Sequence, residues 1–249
     1  MFHLSIDSGL AHLRLNRPEA RNAIAISQWS SLSTALDKAE RSGARILVVA
    51  GDDNAFCAGA DLSDFELLRD DAEERTRFRL AMREALARLR SIPIPTIAVI
   101  DGACFGAGVA LAMACDFRIA ATTATFGLPP AKLGLSYPQE DVRALVSLVG
   151  PGQAARLLFE GATIDGAEAE RIGLVEQLTG SNLAETAAAF AARILANSSI
   201  SLAALKRGIR LAADGAAADD IQDQLFESAF ASEDLAERLS RRKKPSEQG

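Results

Sequence analysis

Histidine, cysteine and aromatic residues are scarce in this chain of 249 residues, and the scarcity excludes several kinds of site. The two histidines, His3 and His12, both lie near the N-terminus. They leave no side chain for a Ser-His-Asp triad or a histidine-based metal centre deeper in the fold. The three cysteines form no CxxC pair, which is typical of a reducing, cytosolic compartment. We therefore expect no metal site and a cytoplasmic location.

An excess of positive charge and long apolar runs are also lacking. Lys and Arg total 27 against 33 Asp and Glu, so the net charge is −6. An acidic chain lacks the basic face that a nucleic-acid binder needs. No apolar run reaches about 18 residues, the length of a membrane span, and the N-terminus has no basic segment typical of a signal peptide. Neither nucleic acid nor a membrane is expected as a partner.

Alanine, in contrast, is abundant. Roughly a fifth of the chain is alanine, which is above ordinary usage. Hydrophobic residues make up 49% of the sequence although aromatics are only 5%. The core is therefore expected to consist of small and aliphatic side chains, in a chain long enough for one large domain or for one domain with a small appendage.

Hydrophobic patterning predicts strands that alternate with helices. An alternating pattern over residues 2–15 predicts a hairpin. A continuous apolar run at 45–51 is typical of a buried parallel strand, and we predict further strands at 96–102 and 116–121. We expect loops at 52–65 and 125–138. The order indicates an α/β fold in which helices cover a mostly parallel sheet.

After about residue 181 only helical patterns remain. The helices predicted in the second half of the chain cover 140–149, 152–160, 183–196, 200–213, 217–231 and 233–243. The last of them have no strand to pair with, so their apolar faces must pack on the body or on another subunit. We divide the chain into an α/β core, residues 1–195, and a C-terminal helical region, residues 196–249.

Two segments of small residues lie where predicted strands end, and strand ends are where α/β folds place ligands. FCAGADL (56–62) follows one buried strand, and DGACFGAGVALAMACD (101–116) joins another to a helix. Gly106, Ala107 and Gly108 open that helix, whose free N–H groups point outward. Two converging backbone donors can form an oxyanion hole, although each segment alone also fits a tight packing turn. The glycine spacing GxxxGxG does not match the dinucleotide-binding pattern GxGxxG.

These segments resemble motifs of the crotonase (enoyl-CoA hydratase/isomerase) superfamily, and the resemblance covers essentially the whole chain. The motifs that carry it are LNRPEARNA (15–23), FCAGADL (56–62), DGACFGAGVALAMACDFRIA (101–120), TFGLPPAKLGL (125–135) and ATIDGAEAERIGLVE (162–176). The basic run RRKKP (241–245) is similar to the family's C-terminal end, without its usual aromatic residue.

The resemblance implies a fold, a substrate and a set of site residues. The fold would be a crotonase-type spiral of repeated ββα units with a C-terminal all-helical region that builds a homotrimer or a dimer of trimers. The substrate would be an acyl-CoA thioester, with coenzyme A as part of the substrate and no separate cofactor. The thioester oxygen would accept hydrogen bonds from the N–H groups of Ala60 and Ala107. The CoA moiety would contact Arg21, Ala23, Ala58, Asp61 and Leu62.

The chain departs from the family pattern where hydratases carry two glutamates. Those positions fall on Ala110 and Pro130, and neither side chain can transfer a proton. Glu140 is a candidate for a single relocated acid/base, as an isomerase needs, and it also fits a first-turn helix residue favoured by the helix dipole. Tyr137 resembles the pocket tyrosine of methylmalonyl-CoA decarboxylases, and it also fits plain pocket lining.

Three functions therefore follow from the sequence. The leading one is an acyl-CoA enzyme of the enoyl-CoA hydratase/isomerase group, a lyase or isomerase of fatty acid metabolism, that stabilises a thioester enolate. The first alternative is a methylmalonyl-CoA decarboxylase-like enzyme, because decarboxylation needs an enolate-stabilising hole and no general base. The second alternative is a catalytically inactive CoA-binding subunit.

Overall fold

The computed structural model describes residues 1–243 and contains two sheets over that range. The strands are β1 (Phe2–Asp7), β2 (Leu10–Leu15), β3 (Ile46–Gly51), β4 (Ala55–Cys57), β5 (Thr96–Ile100), β6 (Ala103–Phe105), β7 (Phe117–Ala121), β8 (Thr125–Gly127), β9 (Thr163–Asp165) and β10 (Gln177–Thr179). The larger sheet has the order β1-β2-β3-β5-β7-β10, and the smaller one has the order β4-β6-β8-β9. The larger sheet is parallel apart from the antiparallel β1–β2 hairpin.

Helices follow the strands and then continue alone. They are α1 (Trp29–Arg41), α2 (Phe65–Asp70), α3 (Ala72–Ser91), α4 (Ala107–Met113), α5 (Gln139–Glu160), α6 (Gly166–Arg171), α7 (Leu183–Leu195), α8 (Ser199–Ala213), α9 (Asp220–Phe230) and α10 (Glu233–Lys243). Helix α5 is broken at Gly150, whose backbone is not helical and which precedes Pro151. The break falls between the two helices predicted at 140–149 and 152–160.

The chain winds through the two sheets in repeated ββα units. Strand β3 lies in the larger sheet and β4 in the smaller one, and helices α2 and α3 follow. The same order recurs in β5, β6 and α4, and again in β7, β8 and α5. This arrangement confirms the predicted α/β spiral and its C-terminal helices. The loops predicted at 52–65 and 125–138 are wrong in part, because they contain strands β4 and β8.

Short polar side chains start several of the helices. Asp71 accepts hydrogen bonds from the N–H groups at the start of α3, and Asn182 does the same for α7. Ser198 and Asp219 begin α8 and α9 in the same way. Such caps satisfy N–H groups that have no partner inside the helix, so the starts of these helices are fixed by local sequence.

The core fills the space around the sheets with aliphatic and small side chains. Its largest fully buried side chains include Trp29, Phe56 and Phe126. Trp29 begins α1 and is fully buried, so it anchors that helix on the core. Every residue of α4 is buried, so the helix that follows β6 is held firmly beneath the loops at the ends of the smaller sheet.

The C-terminal helices contact the body through a lysine whose side chain is only 10% exposed. Lys206 of α8 places its Nζ 2.7 Å from Asp116 Oδ2 and donates to the carbonyl of Ile94 at 2.9 Å. Asp116 also accepts from the backbone N–H and the hydroxyl of Thr96. These contacts make Asp116 a structural brace between α8 and the body. The division at residues 195 and 196 stays a prediction, and it coincides with the end of α7.

In residues 1–243, no single helix combines the length and apolarity of a membrane span. Only helices α7 and α8 taken together are long and apolar enough, and the chain bends by 102° between them. No group of three or more His, Cys, Asp or Glu side chains in this range is arranged to hold a metal ion. Lys244 and Pro245, the end of the predicted basic run 241–245, lie outside the described residues.

Candidate active site

Two loops that leave neighbouring strands of the smaller sheet meet at the candidate site. Strands β4 and β6 pair in parallel, and Gly59 and Gly106 follow them with backbone φ angles of 111° and 51°. Residues with a side chain rarely adopt such angles. A methyl group placed on Gly59 would lie 3.1 Å from the carbonyl oxygen of Phe105 and 3.6 Å from the nitrogen of Ala107. The two loops therefore touch, and glycine permits the contact.

Each loop presents a backbone N–H group that has no acceptor within the described part of the chain. Around Ala60, the N–H of Ile24 donates to Gly59 O at 2.8 Å and the N–H of Asp61 donates to Ile24 O at 3.0 Å. These bonds fix the loop on both sides of Ala60 and leave its own N–H free. Ala107 is the first residue of α4, where an N–H has no partner inside the helix.

A small cavity of about 10 Å³ is lined by Gly106, the residue directly before Ala107, and it is large enough for about one water molecule. Its walls come from β6, α4, the segment after β8 and the start of α5, and the lining residues are Gly106, Ala110, Met113, Leu128, Tyr137, Asp141 and Leu145. The structure thus brings Ala110 and Tyr137 into one cavity. Pro130, the other position without its glutamate, is not among the lining residues.

The hydroxyl of Tyr137 points toward the loop that ends β6. It would lie 3.5 Å from a methyl group placed on Gly106, directly before the free N–H of Ala107. Burial raises the pKa of Tyr137 above its usual value, and the nearby charge of Asp141 raises it further. Tyr137 therefore stays protonated at neutral pH and can donate a hydrogen bond into the cavity.

Glu140 and Asp141 are neighbours at the start of α5 with different surroundings. Glu140 Oε1 lies 2.6 Å from the guanidinium of Arg83, and its side chain is 40% exposed. Its Oε2 is enclosed, with no hydrogen-bond partner among the described residues. Asp141 is only 6% exposed, lines the cavity and accepts a hydrogen bond from Arg90 at 3.2 Å. The proton-transfer role of Glu140 stays a prediction, and the structure shows Asp141 as a second carboxylate, one that lines the cavity.

The residues expected at the CoA entrance lie on the loop after β2 and on the loop after β4. Arg21 is exposed, has a left-handed backbone with φ 48°, and accepts a hydrogen bond from Ala58 N at 2.9 Å through its carbonyl. Ala58 is half-buried, and because its N–H already donates to Arg21, that N–H is not available to a ligand. Ala23 is 8% exposed, and its carbonyl accepts from Arg17. Of these residues, Arg21 has the side chain most open to an anionic ligand.

Asp61 braces the loop on which Ala60 lies. Its carboxylate accepts from the N–H and the hydroxyl of Ser63 and forms an ion pair with Arg17 at 2.6 Å. The hydrogen bonds from Ser63 and then the contact with Arg17 lower the pKa of Asp61. Leu62 is 61% exposed. Asp61 therefore holds the loop, whereas Leu62 presents an apolar side chain to solvent.

The cysteines near the site are packing groups. Cys57, Cys104 and Cys115 are all buried. Burial raises the pKa of Cys57 and of Cys115 to about 12, so both remain protonated thiols at neutral pH. A thiolate nucleophile is not provided by these residues.

Sequence reasoning did not select Asp141 or Arg17 as site residues. A signal for Asp141 was present in the chain, since Asp141, Leu145 and Val149 recur at intervals of four residues and all three are buried on one face of α5. Glu140 lies off that face. No comparable signal marked Arg17, because its contact with Asp61 joins residues that are 44 positions apart.

Comparison with known proteins identifies the family of this chain. The sequence matches the enoyl-CoA hydratase/isomerase family over residues 5–247. The chain belongs to that family. It is therefore a member of the crotonase superfamily of enzymes, as the five motifs predict. An acyl-CoA ligand is consistent with that membership.

Individual relatives resemble the chain over nearly its full length. The enoyl-CoA isomerase/hydratase fer4 of Mycosarcoma maydis is 31% identical over 245 residues, which are 93% of this chain and 89% of that protein. The crystal structure of an enoyl-CoA hydratase/isomerase family protein from Hyphomonas neptunium has a TM-score of 0.92 and 35% identity, and covers 100% of this chain and 97% of its own. An enoyl-CoA hydratase/carnithine racemase from Magnetospirillum magneticum has a TM-score of 0.92 and 29% identity, over 96% and 91% of the two chains.

Proposed function

We propose that this family member acts on an acyl-CoA thioester and stabilises a thioester enolate with the N–H groups of Ala60 and Ala107. The observation that carries the proposal is the pair of free backbone donors on two touching loops. Negative charge that develops on the thioester oxygen would be held by both donors. Preorganised donors of this kind are worth most in a site from which water is excluded.

The CoA moiety is proposed to enter along the loops that hold Arg21 and Leu62. The guanidinium of Arg21 is exposed on the loop that is bonded to Ala58, so it is free to bind a phosphate. The rigid bonds around Asp61 keep this surface in place. Coenzyme A is part of the substrate in this proposal, and no separate cofactor is invoked.

An ordinary hydratase reaction is not supported by the side chains in the cavity. Addition of water across a double bond in this family uses two glutamates, and the matching positions are Ala110 and Pro130. Loss of general acid–base help lowers a rate by about 10²–10⁴. A reaction that moves one proton, or one that needs no proton acceptor, fits the site better.

Decarboxylation of a malonyl-type thioester is the second candidate. It is favoured by one observation, the hydroxyl of Tyr137 beside Gly106, where it is a hydrogen-bond donor close to the loop that holds the N–H of Ala107. The enolate that forms on loss of CO₂ would be held by the same two N–H groups. No general base is needed for that step.

Incubation of the purified protein with three thioesters tests these functions. We expect trans-3-hexenoyl-CoA to be converted to its 2-enoyl isomer, with little hydration of crotonyl-CoA, as followed by liquid chromatography and mass spectrometry. CO₂ release from methylmalonyl-CoA without isomerisation supports the decarboxylase instead. Binding of all three thioesters without turnover supports the inactive CoA-binding subunit and contradicts both enzymatic proposals.

A further inference from the structure

A buried carboxylate, that of Asp141, faces the cavity from helix α5. It lies outside the five family motifs described above. Asp141 is 6% exposed and shares the cavity with Ala110, Tyr137 and Gly106. Ala110 is the position at which the first family glutamate is absent. A carboxylate therefore remains in the same cavity although it comes from a different helix.

Asp141 is held in place by an arginine from a neighbouring element. Arg90 lies near the C-terminal end of α3, and its guanidinium donates to Asp141 Oδ1 at 3.2 Å. Only Oδ1 is engaged by this bond, so Oδ2 remains available. Glu140, one residue earlier, is paired with Arg83, which precedes Arg90 on α3, and Glu140 does not line the cavity. The two arginines therefore separate two adjacent carboxylates into one that faces the cavity and one that does not.

We propose that Asp141 is the proton-transfer group of this site. The assignment rests on the proposed function, because it needs an acyl thioester bound at the N–H groups of Ala60 and Ala107. In the step, the carboxylate of Asp141 takes a proton from the α-carbon. The C–H electron pair becomes the C=C bond of the enolate, and the carbonyl π pair moves onto the thioester oxygen.

The reverse of that step completes the reaction without any further reactant. Asp141, now a carboxylic acid, returns its proton to the α-carbon or, in a 3-enoyl thioester, to the γ-carbon. The enolate electron pair forms the new C–H bond, and the thioester carbonyl is restored. Nothing is oxidised or reduced. One carboxylate is sufficient, which agrees with the absence of a second acid at Pro130.

The charges around Asp141 suit a base of this kind. Burial raises its pKa, the guanidinium of Arg90 lowers it, and the neighbouring Glu140 raises it again, with a net upward shift. Among the described residues, Arg90 faces it from α3 and Tyr137 and Glu140 from its own segment, while α4 and the segment after β8 contribute uncharged lining residues. A raised pKa makes a carboxylate a stronger base toward a weakly acidic C–H group.

Exchange of α-hydrogen for deuterium tests the proposal directly. The full-length protein is incubated with butyryl-CoA in D₂O, and deuterium uptake at the α-carbon is followed by mass spectrometry. We expect Asp141→Asn to lose exchange by about 10²-fold or more, while it still binds butyryl-CoA by calorimetry. Asp141→Glu, which keeps a carboxylate, is expected to restore part of the exchange. Glu140→Gln tests the competing carboxylate and is expected to keep exchange, with the acid limb moved to lower pH because Glu140 raises the pKa of Asp141. Glu160→Gln, at the exposed C-terminal end of α5, is the control that should exchange at the wild-type rate.

A pH profile separates a catalytic carboxylate from a merely structural one. Exchange by the wild type should fall as the pH drops through the pKa of Asp141, above the ordinary aspartate value of about 3.9. Arg90→Met removes the charge that lowers this pKa, so the acid limb should move to higher pH. Unchanged exchange in Asp141→Asn, or loss in Glu140→Gln alone, overturns the proposal. If exchange is lost in Ala107→Pro and kept in Asp141→Asn, the proposed function stands and Asp141 has no part in it. If the wild type neither binds butyryl-CoA nor exchanges its α-hydrogen, the proposed function itself is contradicted.

Discussion

At the scale of single residues, the chemistry proposed for this site depends on backbone N–H groups as much as on side chains. Ala60 and Ala107 each have a small side chain beside an N–H that the fold leaves without an acceptor among the described residues. Alanine at these positions keeps the donor accessible. The abundance of alanine thus has a local use at the site as well as a packing role in the core.

The donor at Ala107 can be removed with little change to the fold. Proline is well tolerated at the first position of a helix, where its missing N–H would have no helical partner. We therefore expect Ala107→Pro to fold and to lower turnover by about 10²–10³, as measured by steady-state kinetics on the best thioester. Ala72→Pro places the same residue at the first position of α3, so it is the matched control. Equal losses in the two variants would contradict a role for the Ala107 N–H.

The brace at Asp61 predicts a pH-dependent contribution to stability. Its pKa is lowered in the folded protein, so its stabilisation is complete above the unfolded-state value of about 3.9. That stabilisation is lost as the pH falls through the lower folded value. Asp61→Ala is expected to reduce the free energy of unfolding by about 1 kcal/mol at pH 7.

Urea unfolding at pH 7 and again below pH 4 measures this contribution. The difference between the wild type and Asp61→Ala should shrink at the lower pH. Asp61→Asn is the control, since asparagine also caps helices but cannot titrate. A difference that is the same at both pH values would show that the charge of Asp61 does not contribute.

Residue-level prediction from the sequence reaches a backbone position where a motif defines it, and it is incomplete where side-chain orientation decides. The loops with Ala60 and Ala107 were found because small residues follow strands. The choice between Glu140 and Asp141 depends on which of two adjacent side chains faces α4 and which one faces Arg83. Both residues are carboxylates at neighbouring positions, so only the orientation of α5 decides which of them faces the cavity.

At the scale of elements, the larger sheet was predictable and the smaller one was not. Strands β3, β5 and β7 are five or six residues long and apolar apart from Arg118 in β7, and such runs are recognisable. Strands β4, β6 and β8 have three residues each, too few to show a period. Their position is set by pairing with one another, which is a tertiary contact that no local pattern contains.

The attachment of α8 to the body depends on Lys206. Its side chain is 10% exposed and contacts Asp116 and the carbonyl of Ile94. Because hydrogen bonds to charged groups contribute about 1.5–3 kcal/mol, we expect Lys206→Met to lower the free energy of unfolding by that amount. Limited proteolysis should then cut the chain sooner between α7 and α9.

Arg143→Met is the matched control for Lys206→Met. Arg143 also joins a body helix to the C-terminal region, through Asp214, but both side chains are about half exposed. An exposed ion pair is worth less than about 1 kcal/mol. Equal destabilisation by the two variants would contradict the special role assigned to Lys206.

At the scale of the whole molecule, the C-terminal helices present an apolar surface. Helices α8 and α9 contain no buried residue, and their exposed apolar side chains are Ile200, Leu205, Ile209, Ile221, Phe226 and Phe230. Surfaces of this kind on soluble chains are typical of interfaces with other proteins. This surface supports the homotrimer, or the dimer of trimers, proposed from the resemblance.

Light scattering coupled to size-exclusion chromatography measures the assembly. We expect a mass of three or six copies of the 26.3 kDa chain. Phe226→Asp should shift the protein toward the single-chain mass, because it places a charge among the apolar side chains of the surface. Phe159→Asp, at an exposed position at the end of α5, is the control that should keep the trimer. A wild type that elutes as a single chain contradicts the assembly.

The pairing of β4 with β6 has one more consequence. The two loops with free N–H groups continue neighbouring strands, and neighbouring strands in any sheet lie about 4.7–4.9 Å apart. The separation of the donors is therefore set by backbone hydrogen bonding, and substitutions on α5 or after β8 leave it intact. In the proposed chemistry, the two loops bind the negative charge, whereas a side chain on a helix moves the proton. These parts of the chain can be replaced separately. A carboxylate can therefore be absent at Ala110 and be supplied by another helix while the donor pair stays the same.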